Sequence, residues 1–171
     1  MRPSVIACVL TLGMPFLAAA QQPAPAATTP QAAMKLFASS ADVNALIARA
    51  RAERKPDQAL LAQPIVQFAP YNVSLEYRAL VGGAAIHEKE AELFYVVEGS
   101  GTMVTGGTLM MEARPNPDNR NGTGIQGGES RKVGKGDFIM VPPGTAHWFS
   151  AIDGTLVLMS LHLPAAAPAA R

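Results

Sequence analysis

The sequence predicts an all-β domain, an antiparallel sandwich or barrel with one short N-terminal helix packed on its outside. Three observations predict it. From Pro64 to Leu163 short runs rich in β-branched and aromatic residues are separated by Gly, Pro and Asn turns, the texture of strands joined by tight connections. A helical period appears once, before Pro56, and does not recur among those runs. The only cysteine, Cys8, lies in an apolar leader, so the domain has no disulfide, and a closed all-β architecture is what hides its sheet edges.

The leader comes first in the chain. Arg2 is the one charge before a run from Val5 to Ala20 that is apolar except for Thr11 and the Gly13/Pro15 interruption. That run is short and broken for a bilayer span, and Ala18-Ala19-Ala20 supplies a small-residue cleavage pattern. Residues 1–20 therefore read as a signal peptide cut before Gln21, which predicts a periplasmic or secreted protein with no membrane insertion after cleavage. Cys8 lies inside the apolar run, so no lipid anchor is expected. Residues 21–33, QQPAPAATTPQAA, carry no charge and no apolar period, and read as a disordered Pro/Ala-rich linker.

The barrel domain is expected over residues 34–163, followed by a disordered tail at 164–171. A domain of that length buries enough core to fold without cross-links. The chain has 14 basic side chains against 13 acidic ones, and losing Arg2 balances them. With no basic run to track phosphates, nucleic acid is not expected as a partner and membrane surfaces are poor candidates.

Within the domain, Ser40 is the expected cap of a helix whose Val43, Leu46, Ile47 and Ala50 share a face, and Pro56 stops it. Arg49, Arg51 and Arg54 read as its solvated side. About eight strands follow, near 64–69, 71–79, 91–97, 101–106, 108–112, 131–135, 137–141 and 147–163, the last broken near Asp153-Gly154. Residues 114–128, RPNPDNRNGTGIQGG, read as one long polar loop, the kind of loop that is functional or mobile.

Three histidines occur, and two lie where a metal would need them. His87 precedes Glu92 by five positions, and Glu92 opens the run Glu92-Leu93-Phe94-Tyr95-Val96-Val97. On a strand Glu92 shares a face with Phe94 and Val96. A carboxylate on an apolar face is costly unless a cation or several donors meet it. His147 follows Asp137–Val141 through a Pro142-Pro143-Gly144-Thr145 turn, which holds it close to the preceding strand.

These segments resemble the two signature motifs of the cupin superfamily. The second motif, Gly, five residues, Pro, one residue, Gly, two residues, His, is met by Gly136, Pro142, Gly144 and His147, with Ala151 where Asn is usual. Of the first motif, His-x-His, three or four residues, Glu, six residues, Gly, the second half is met by Glu92 and Gly99. Four intervening residues make His87 the second histidine and place Ala85 where the first would stand; three would place Glu88 at the ligand position and point His87 elsewhere. One usual ligand is thus missing.

The resemblance implies an antiparallel cupin, or jelly-roll, β-barrel holding one divalent transition metal ion (Fe, Mn, Ni, Zn or Cu) through His87, Glu92 and His147. Two neutral imidazoles and a carboxylate suit such ions and leave positions open for water or substrate. The function expected is a metal-dependent enzyme of dioxygenase, isomerase or lyase type acting on a small oxygen-rich molecule, with the ion as Lewis acid. A non-catalytic periplasmic module that binds a small ligand or the metal is the alternative, and family likeness admits a homodimer. Proton competition for His87 and His147 is expected to weaken metal binding below about pH 6. His162 reads as a hydrogen-bonded packing residue outside the ligand set, a fourth ligand being its alternative role, Trp148, Phe149, Tyr77 and Tyr95 as core, and Arg78 and Lys89 as surface cations.

Overall fold

The computed structural model describes residues 34–165. The expected signal peptide, the linker and the end of the tail lie outside the described residues. Helix α1 spans Ser40–Glu53, and eleven strands follow: β1 Leu60–Phe68, β2 Tyr71–Arg78, β3 Ala84–His87, β4 Glu90–Thr105, β5 Thr108–Met110, β6 Ala113–Asn116, β7 Asn119–Gly122, β8 Gly124–Gln126, β9 Glu129–Gly134, β10 Phe138–Val141 and β11 His147–Pro164. All strand pairs are antiparallel. The domain is mostly antiparallel sheet with one short helix, as the sequence predicts.

The cap of α1 is Ser39 rather than Ser40. The Asp42 amide donates to Ser39 Oγ at 3.2 Å, and the Ser39 amide donates to the Asp42 carboxylate at 2.8 Å, so two orphan donors of the first turn satisfy each other's residues. Ile47 and Ala50 then pack under the helix against Ile65, Leu75, Tyr77 and Val157. The arginines of its other side are not simply solvated. Arg49 Nε donates to Gln63 Oε1, Arg51 pairs with Glu98, and Arg54 Nη1 caps the carbonyls of Lys55, Pro56 and Gln58.

β4 and β11 form the spine. They pair from His147↔Thr105 to Pro164↔Glu90, with register shifts between Phe149 and Ala151, Ile152 and Leu156, and Val157 and Leu158. Bulges of this kind bend a strand pair, so what reads as two strands and a broken one is two long, kinked strands. Beyond this pair, β11 joins β2 and β1 on one side, while β4 carries β9 and β10. Gly99 sits at the kink with φ +81°, and a Cβ there would lie 1.8 Å from the Thr155 carbonyl oxygen. Only glycine fits. Gly99→Ala is expected to combine left-handed strain with overpacking, a loss of about 2–4 kcal/mol, seen as a lower thermal midpoint with wild-type secondary structure after refolding.

Three departures from the sequence reading have physical reasons. β1 begins at Leu60, ahead of Pro64, because Pro64 sits at a register shift on an edge strand, where a missing N–H costs no ladder bond. β3 carries two alanines and too little β-branching to announce itself. The supposed long loop 114–128 contributes most of β6 and all of β7 and β8: β7 pairs with β3 and β6, and β8 with β5. Long-range pairing, not local propensity, makes those strands.

The main core is built on β4, β9, β10 and β11 of the nine-stranded sheet: Phe94, Val96, Met103, Val133, Val141, Phe149, Leu156 and Leu158. A third cluster, Ala84, Ile86, Val104, Leu109, Ile125 and Ala146, with Trp148 against it, backs β3. Trp148 Nε1 donates to the Gly82 carbonyl at 2.8 Å. Among the described residues no helix is long and apolar enough to cross a membrane.

Candidate metal centre

The β4 alternation that buries Phe94 and Val96 also turns Glu92 inward, and Glu92 is 3% exposed. All three histidines of the chain reach it. His87, at the end of β3, places Nε2 3.3 Å from Glu92 Oε2; His147, delivered by the Pro-Pro-Gly-Thr turn, places Nε2 3.1 Å from the same oxygen. His162, the cross-strand neighbour of Glu92 on β11, places Nε2 3.3 Å from Oε1. The ligand atoms of His87, Glu92 and His162 lie within 4.8 Å of one another. His147 joins them through Glu92 Oε2, its ring 5.3 Å from that of His87. The structure thus brings together His87, Glu92 and His147, and it places His162, hydrogen-bonded as expected, against the same carboxylate.

The other face of each ring is anchored. His87 Nδ1 lies 2.6 Å from Asn119 Oδ1, His162 Nδ1 3.1 Å from Glu90 Oε2, and His147 Nδ1 3.3 Å from the Thr145 carbonyl. Each acceptor favours a proton on Nδ1, which leaves the Nε2 lone pair turned toward the carboxylate. Two facts then show whether a cation fits. Glu92 Oε2 is buried with no hydrogen bond along a donor direction, although two imidazole nitrogens lie within 3.3 Å. Three imidazole nitrogens and one carboxylate are also the donors a first-row divalent ion prefers. His87, Glu92 and His162 are positioned to hold such an ion.

Glu88 is directed elsewhere. Its Oε1 meets Arg114 Nη2 at 3.0 Å and Arg120 Nε at 2.7 Å, so the structure has the register in which His87 faces Glu92. Lys89 pairs with Asp118 at the surface. Arg78 does not sit at the surface: its side chain is 14% exposed, forked onto Glu76 at 2.7 and 2.9 Å, and stacked over the Phe149 ring. Tyr95 packs on Phe138 and Tyr77 lies under α1, so Phe149 is the one of the four aromatic candidates in the main core.

Protonation follows from the same contacts. Burial alone lifts the Glu92 carboxyl, but His147, His162 and His87 more than reverse it and hold it far below the usual carboxylate range. Glu92 pushes the His87 imidazole up, against burial, with help from Asn119. Glu92 does the same for His162, against burial, with help from Glu90. A raised folded-state pKa means stability that is full below the unfolded value of roughly 6.5 and lost as pH rises through the folded one. The metal-free domain is therefore expected to melt at lower temperature as pH climbs past neutrality, while the stabilisation added by a bound ion grows, since ligation needs neutral imidazole. Proton competition sets in at higher pH than for ordinary histidines. Parallel trends with and without metal, in melts from pH 5.5 to 8.5, would contradict this.

A model of the family described as Cupin matches residues 71–168. The chain belongs to the cupin family. It is similar to the solved structure of KdgF from Halomonas sp., at 16% identity over 66% of this chain and 87% of that one, with a TM-score of 0.48. A Cupin 2 conserved barrel domain protein from Salinispora arenicola shares 19% identity over 78% and 91% of the chains, with a TM-score of 0.45. A cupin superfamily protein from Desulfitobacterium hafniense shares 16% identity over 66% and 83%, with a TM-score of 0.46. No curated protein matches this chain.

Proposed function

We propose that this chain is an exported cupin that binds one divalent transition ion through His87, Glu92 and His147 and acts as a metal-dependent enzyme on a small oxygen-rich molecule. One observation carries the reading: imidazoles anchored at Nδ1 converge through Nε2 on a buried carboxylate whose Oε2 lacks a donor. When bound, the ion supplies Lewis acidity toward substrate oxygens. The chain's own residues fix the rings, exclude water from the Glu92 side and keep that carboxylate ionised. Export rests on the leader 1–20, with its apolar run and Ala18-Ala19-Ala20.

A non-catalytic module that captures a small ligand or the metal is the second reading. It is favoured by the way the site's titratable groups are occupied: Glu92 is shared by three imidazoles and Glu90 holds His162 Nδ1, so no carboxylate there stands free as a general base.

Protein purified without chelators is expected to contain close to one divalent ion per chain by elemental analysis, and chelation is expected to lower its thermal midpoint, because an ion that binds only the folded state stabilises it by mass action. Absence of both metal and a chelator effect at neutral pH would sink the metal reading. Turnover of small oxygen-rich compounds by the loaded protein supports the enzyme; ligand-induced stabilisation without turnover supports the module. An intact Met1 in cytoplasmic protein would overturn export.

A further inference from the structure

Position 85, where the first motif would place a histidine, is alanine. On β3, Ala84 and Ile86 belong to the cluster behind the strand, so Ala85 and His87 take the opposite face. Across the ladder Ala85 meets His147 on β11 and Asn121 on β7. A long side chain at 85 would stand beside His147, at the β3 rim of the site. Alanine ends at Cβ and offers no donor there.

His162 arrives from another direction. The far end of β11 carries it, directly across from Glu92, and its Nε2 meets Oε1, the carboxylate oxygen that His87 and His147 leave free. Its ring stands edge-on to that of His87, with centroids 4.7 Å apart. Glu90 holds its Nδ1 as Asn119 holds that of His87. A packing histidine needs a partner for its one N–H; His162 has both nitrogens engaged in the scheme that the motif histidines use.

We propose that His162 is a relocated metal ligand, supplying from the opposite side of Glu92 the imidazole that position 85 lacks, so that the ion's open face lies over Ala85, where a small chelating oxygen ligand enters. The inference rests on the metal reading above and deepens it. The exchange leaves the β3 rim, where Ala85 lies across the ladder from His147 and Asn121, without an imidazole at position 85.

The test uses the full chain loaded with Co(II), whose visible absorption reports ligand number, with affinity measured against a competing chelator and oxalate as the probe of the open face. His162→Ala is expected to weaken Co(II) binding at least about tenfold and alter the spectrum, and the double variant Ala85→His with His162→Ala is expected to recover most of that affinity. Ala85→His alone is expected to keep Co(II) and lose oxalate binding at least about tenfold. Metal-free melts of each variant separate ligand loss from misfolding, and the double variant reports a gain that misfolding cannot mimic. His162→Ala with wild-type affinity and spectrum, alongside a His87→Ala protein that has lost Co(II), overturns the relocation and leaves the metal site standing. No recovery in the folded double variant overturns the exchange, and unchanged oxalate affinity in Ala85→His, or none in the wild type, overturns the open face. A wild-type chain that binds no Co(II) sinks the metal reading itself.

Discussion

Replacing His87 with Ala is expected to abolish tight binding of a divalent transition ion while the fold persists, and replacing Glu88 with Gln is expected to leave binding nearly intact. The two residues are adjacent, and the β3 register gives them different partners. His87 Nε2 stands 3.3 Å from Glu92 with Nδ1 fixed by Asn119, so its removal takes away a ligand outright. The loss should exceed the roughly 10–100-fold typical of removing a residue that merely supports a ligand. The fold should survive, because His87 lies at a strand end with its side chain 21% exposed, and β3 keeps its ladder with β7. Glu88 is tied to Arg114 and Arg120 outside the site, and a Gln there keeps the size while weakening surface ion pairs worth about 0–1 kcal/mol each. Chelator competition on both variants checks the pair. The reverse pattern would withdraw the two-histidine site and reassign the ligand to Glu88.

Phe94→Ala is expected to cost about 3–5 kcal/mol of folding stability, read as a fall in the urea midpoint at unchanged slope. Phe94 is fully buried, packs edge-to-face on Phe149 with centroids 5.4 Å apart, and lies 6.0 Å from the His147 ring. Truncation opens a cavity beneath His147 as well as losing buried apolar area. Metal affinity should therefore fall too, although residue 94 offers no ligand, because a ring free to tilt places Nε2 less well. The conservative Phe94→Leu should restore most of both. Loss of stability with metal affinity untouched would show that the turn alone positions His147.

Much of the site was legible because it depends on local spacing. Glu92 betrayed itself as a charge among apolar residues on one strand face, and the Pro-Pro-Gly-Thr turn tied His147 to the strand before it. The helix was legible for the same reason, since a period and a cap are local signals, and even there the serine was misplaced by one position, because Ser39 and Ser40 both precede the helix and only the Asp42 geometry chooses. What was not legible was pairing. β7 and β8 arise from a Gly- and Asn-rich stretch whose own propensities argue against strand, and they exist because β3 and β5 offer backbone partners. His162 failed to stand out for the same reason: its sequence neighbours are a plain apolar strand, and its partner Glu92 lies 70 residues away in the chain.

The sequence by itself determined the class of fold, a charge balance with no basic track for nucleic acid, and the inward face on which Glu92 stands, because hydrophobic alternation and turn chemistry act within a few residues of the chain; His87 and His147 as its companions came from a family resemblance. The tertiary structure alone decided that Glu88 turns to Arg114 and Arg120, that Arg78 lies half-buried over Phe149, and that His162 meets Glu92. Each of those depends on which strand lies beside which and in what register. A shift of one residue in the β4–β11 ladder would turn His162 to the opposite face, and the bulges that set that register are a product of the whole packed sheet.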